Sequence, residues 1–132
     1  MKSKSKTRDT NLTPNVGSTA FEAINRLESL KKGWDSYGAP PIEKASRELA
    51  KQWLNEFQAI LGSTYVEPLV DPTPEAGVAL VWRKKWGEEL DVLISPQGAR
   101  YLRLTPDQQV QSSDKITEPK AFAREILKRF IQ

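Results

Sequence analysis

The apolar residues of this chain change from a helical to an alternating period at Gly62. Before it, Ile42, Ala45, Leu49, Trp53, Phe57 and Ile60 fall on one helical stripe, widened by Ala50, Leu54 and Leu61. After it, the apolar positions alternate: Val78, Leu80 and Trp82, then Leu90, Val92 and Ile94. Helical period followed by strand period, without β-α-β alternation, points to an α+β domain.

The boundaries follow from local chemistry. Thr19-Ala20-Phe21-Glu22 has the form of a capping box, Phe21, Ile24, Leu27 and Leu30 follow at helical spacing with Trp34 continuing the stripe, and Gly33 stops the helix. Pro40-Pro41 precedes a second, long helix that Gly62 ends with a left-handed cap. Tyr65 to Val70 reads as an edge strand limited by Pro68, and Gly77 to Arg83, Glu89 to Ser95 and Ala99 to Leu104 read as a meander. Gln108 to Lys115 is polar and reads as a loop. Thr117-Glu118-Pro119 opens a last helix carrying Phe122, Ile126 and Phe130. The predicted fold is therefore α+β: two N-terminal helices, an antiparallel three- to four-stranded meander and a C-terminal helix, with the helices on one face of the sheet.

The length of 132 residues suits one domain. No apolar run approaches the roughly 20 residues of a membrane-spanning helix, and no signal-peptide pattern follows the basic start, so a cytoplasmic protein is expected. The chain has no cysteine and no histidine. This removes disulfides, Cys/His zinc sites, cysteine nucleophiles and imidazole-based catalysis. Neither a phosphate-loop nor a nucleophile-elbow motif is present. The expectation is no cofactor, no metal and no enzymatic activity; the remaining enzymatic option is a carboxylate-based hydrolase.

Charge divides the chain. Lys2, Lys4, Lys6 and Arg8 against Asp9 alone leave +3 in the first fifteen residues, which is the whole formal net charge. Residues 1–17 have almost no apolar content and read as a disordered basic arm; residues 18–132 form an electrically neutral domain. The sequence pI of about 9.2 reflects the arm.

Two stretches stand out. Gly33-Trp34-Asp35-Ser36-Tyr37-Gly38-Ala39-Pro40-Pro41 places two aromatics and an aspartate between glycines. It reads either as an ordered corner, with Trp34 and Tyr37 plugging the helix ends, or as a recognition loop presenting Trp34, Asp35 and Tyr37. Trp82-Arg83-Lys84-Lys85-Trp86-Gly87 sets three cations between two indoles at a turn. It reads as a solvated hairpin tip with Trp86 covering Trp82, or as a contact edge for an acidic protein or a single-stranded nucleic acid. Glu88, Glu89 and Asp91 follow, with Asp91 expected to face solvent.

The GWDSYGAPPI run, the long amphipathic helix after it, and the GVALVW and ELDVLIS strands together resemble a group of small bacterial proteins sharing a Trp-Asp-x-Tyr-Gly-Ala-x-Pro signature. The resemblance spans roughly Leu27 to Tyr101. It implies a shared fold and carries across no catalytic residue. Small proteins of this kind suit toxin–antitoxin or phage–host conflict roles by association alone.

The functional expectation is a non-enzymatic interaction protein, antitoxin-like or of the phage-inhibitor type, that binds and modulates or neutralises a protein partner. Its contacts are Trp34, Asp35, Tyr37, Arg83, Lys84, Lys85 and Trp86. The alternative is a nucleic-acid-binding accessory protein using Lys2, Lys4, Lys6 and Arg8 with Arg83, Lys84 and Lys85.

Overall fold

The computed structural model describes residues 19–132. The predicted basic arm, with Lys2, Lys4, Lys6 and Arg8, lies outside the described residues.

Thr19 caps α1 (Ala20–Arg26): its hydroxyl accepts from the Glu22 amide and the Glu22 carboxylate accepts from the Thr19 amide, the reciprocal pair expected of a capping box. A 3-10 turn, Leu27–Ser29, ends this helix earlier than the stripe suggested. Ala20, Ala23, Ile24 and Leu27 face the core, whereas Phe21 is 38% exposed and lies beneath the Lys51 ammonium at 5.3 Å. The long helix α2 (Lys44–Leu61) buries Ala50, Trp53, Leu54, Phe57 and Leu61. Gly62 ends it with a positive φ of 54°, but its ψ of −127° lies outside the left-handed helical region.

The sheet has five antiparallel strands in chain order: β1 (Leu69–Thr73), β2 (Gly77–Arg83), β3 (Glu89–Ser95), β4 (Gly98–Leu104) and β5 (Val110–Lys115). Three to four were predicted, and the two outer strands account for the difference. β1 begins after Pro68, and Tyr65–Pro68 serve as connector; Pro72 fits because an edge strand has one side without a ladder. β5 replaces the predicted loop. All six of its residues are exposed, so no apolar alternation marks it, and it is held by its register with β4. β2 passes close enough to β3 that a Cβ on Gly77 would lie 2.2 Å from the Ile94 carbonyl oxygen, which only glycine allows.

The chain closes with α3 (Pro119–Phe122), continuing through a π-helical stretch (Ala123–Leu127) into α4 (Lys128–Ile131). The helices pack on the face that carries Val78, Leu80, Trp82, Leu90, Val92 and Ile94. Phe57 sits at the centre of that core, with ring centroids 6.2 Å from Trp53, 6.1 Å from Trp82 and 5.9 Å from Phe122. Phe130 is clamped by two cations, Lys84 at 4.7 Å and Arg103 at 5.4 Å, which tie the C-terminal segment to the β2–β3 turn and β4.

Strand pairing places two rows on the opposite face: Leu69, Val81, Asp91, Leu102 and Ser113, then Asp71, Ala79, Leu93, Arg100 and Lys115. Among the described residues no helix is long and apolar enough to cross a membrane.

Candidate functional site

The α1–α2 corner is cross-braced. The Asp35 carboxylate accepts from the amides of Tyr37 (2.9 Å) and Ala39 (3.0 Å). The Gly33 amide donates to the Ala39 carbonyl at 2.7 Å, and the Trp34 indole N–H donates to the Pro40 carbonyl at 2.8 Å. Those amide bonds hold the Asp35 carboxyl below its ordinary range. Three residues in this corner have positive φ, including Ser36 at 69°, where a side chain is disfavoured. Trp34 and Asp35 are therefore committed to the corner itself. Tyr37 does not plug a helix end: its side chain is 92% exposed.

The β2–β3 tip is closed by two backbone bonds, Lys84 N–H to Glu88 O at 2.7 Å and Gly87 N–H to Lys84 O at 3.0 Å. Trp82 and Trp86 part company here. Trp82 is core, with its indole N–H donating to the Val66 carbonyl at 2.8 Å. Trp86 does not cover it; it stands 78% exposed, with the Lys85 ammonium 5.5 Å from its ring. The other two cations are met within the hairpin. The Arg83 guanidinium grips the Glu89 carboxylate at 2.8 and 2.9 Å, and Lys84 lies 3.8 Å from Glu88. Beside the tip, where β1 stops short of the end of β2, a groove of about 370 Å³ is lined by Val66, Leu69, Val81, Arg83, Lys85 and Ile131 among others. These groove walls escape a reading of the sequence, because they come from three distant segments.

Asp91 lies on the helix-free face, as its alternation predicts, but neighbouring strands cover part of it there. It is half-buried in the middle strand, between Val81 and Leu102, two positions from Glu89, which is only 6% exposed. Burial pushes the Asp91 carboxyl up to about 8; hydrogen bonding to Glu89 and repulsion from it add to the shift, while Arg83 opposes it. The i, i+2 spacing of acids on one strand was the available signal. The carboxylates thus converge, as a carboxylate-based hydrolase requires, but neither of them lines the groove. Among the described residues no cluster of three or more acidic side chains that could hold a metal is present.

The two predicted contact regions are far apart. Glu43, at the start of α2, donates its amide to the Ala76 carbonyl of the β1–β2 turn, while Val66, just past the end of α2, meets Trp82 near the tip. The eighteen residues of α2 lie between them, about 27 Å of helix. Trp34, Asp35 and Tyr37 therefore do not share a surface patch with Arg83, Lys84, Lys85 and Trp86. The chain matches no protein-family model, no curated protein and no solved structure.

Proposed function

We propose that this chain is a non-enzymatic interaction domain that binds a protein partner through the β2–β3 tip and the adjoining groove, and modulates or neutralises that partner by occupying it. One observation carries the reading: Trp86 exposes most of its indole on a hydrogen-bonded turn whose neighbouring residues, Lys84 and Lys85, line a partly apolar groove. A large rigid aromatic ring exposed on an ordered turn is a common form of interface anchor. Lys85 adds a positive rim, which suits an acidic patch on the partner.

The same geometry favours protein over nucleic acid. Arg83 and Lys84 are engaged by Glu89 and Glu88, which leaves Lys85 as the tip's cation without a carboxylate partner among the described residues. A phosphate backbone is held by several cations acting together. Tyr37, at the far end of α2, lies outside this contact surface.

A photo-crosslinking residue placed at position 86, and separately at position 37, tests the reading in extracts of the native host. The expected result is one stoichiometric protein adduct from position 86 and none from position 37. An adduct to nucleic acid, or no adduct from position 86, overturns it.

A further inference from the structure

At the end of the sheet away from the tip, the β1–β2 and β3–β4 turns and the end of β5 border an open cavity of about 560 Å³, with Arg100 and Lys115 exposed on its wall. That volume falls within the range of small-molecule sites. Its lining includes the last three residues of one cross-strand row, Leu93, Arg100 and Lys115. Arg100 and Lys115 are direct partners in the β4–β5 ladder, so two like charges stand side by side, an arrangement that disfavours pairing of the strands. Among the described residues neither of them forms an ion pair. Asp114, next in sequence to Lys115, points to the other face, as strand alternation requires.

We propose that this cavity binds a phosphate monoester with a small apolar body. A dianionic phosphate neutralises both cations at once, and the arginine fork fits its oxygens two at a time. Leu93 and the buried Ile116 supply the apolar part of the lining. Glu75, on the β1–β2 turn across the sheet from Lys115, gives the far wall the opposite sign, so the ligand carries its negative charge at one end only. The Ser95 hydroxyl is engaged within its own turn with Gln97 and Gly98, and the positive charge of the lining comes from the two cations.

The test is a backbone-amide NMR titration of the full chain with phenyl phosphate, inorganic phosphate and benzoate. Phenyl phosphate is expected to give saturable shifts confined to Leu93–Arg100 and Lys115–Thr117, and to bind about tenfold more tightly than either other probe. The double variant R100Q/K115Q should lose that binding by about tenfold or more, and should melt no lower than the parent because a repulsion is gone. Non-saturating shifts, equal binding of benzoate, or binding unchanged in the double variant overturns the proposal. Position-86 crosslinking is unaffected by any of these results, so the two readings fail separately.

Discussion

The Gly33–Pro41 corner and the Lys84–Glu88 tip are assembled from the same kinds of residue and part in what they do with them. Each is flanked or entered by one tryptophan whose indole N–H is bonded to a backbone carbonyl, Trp34 to Pro40 and Trp82 to Val66. Each also exposes one further aromatic, Tyr37 or Trp86. At the corner the charged residue, Asp35, is turned inward onto two amides of its own loop. At the tip Lys85 stays on the rim, and a groove opens alongside. Exposure of an aromatic alone does not separate a structural corner from a contact surface. What surrounds the ring does.

The sharpest way to break this comparison is to truncate the two tryptophans of the hairpin. Trp82→Ala removes a core ring packed on Phe57 and should cost about 3–5 kcal/mol by denaturant unfolding. Trp86→Ala should stay within about 0.5 kcal/mol of the parent. A large loss from Trp86→Ala would make the tip structural rather than functional.

The next effect lies in the sheet and depends on pH. The folded-state pKa of Asp91 is raised, so the folded chain binds more protons than the unfolded one between about pH 4 and pH 8. Stability therefore falls as pH rises through that window. Asp91→Asn mimics the protonated form. It should stabilise the fold by on the order of 2 kcal/mol at pH 8, well below the full linkage value because the residue is only half-buried, and have little effect at pH 4. A stabilisation independent of pH would show that Asp91 does not titrate in this window.

The corner yields the smaller change, with the opposite pH sign. The Asp35 carboxyl has a lowered pKa, so its contribution is present above the ordinary carboxylate range and is lost as pH falls through the folded-state value. Asp35→Asn should lower the melting temperature at pH 7 and converge with the parent in acid. Tyr37→Ala should leave stability within about 0.5 kcal/mol.

How much of this was legible depends on whether one face of an element is buried. β2 and β3 begin and end at the residues their alternation predicts, because Val78, Leu80, Trp82, Leu90, Val92 and Ile94 all meet the helices. β5 was missed because Val110 to Lys115 is exposed throughout, and backbone pairing leaves no hydrophobic signature. β1 was displaced because only Val70 of its five residues is buried, so it carries no alternation to fix its ends. At the tip, composition revealed the cations and indoles, and alternation placed Trp82 in the core, where it lies. The exposure of Trp86 and the three-segment groove were not legible, because a turn residue has no periodic partner and the groove walls come from distant segments. The Asp91 environment depends on Val81 and Leu102 from neighbouring strands, which no local pattern encodes.

The central claim, that the tip and its groove are the partner surface with Trp86 as anchor, is tested most directly by the dissociation constant of the captured partner for Trp86→Ala and Tyr37→Ala. The predicted result is a weakening of about thirtyfold or more for Trp86→Ala, corresponding to a loss of about 2 kcal/mol or more, with Tyr37→Ala near the parent value. Equal affinity of Trp86→Ala and the parent would contradict it.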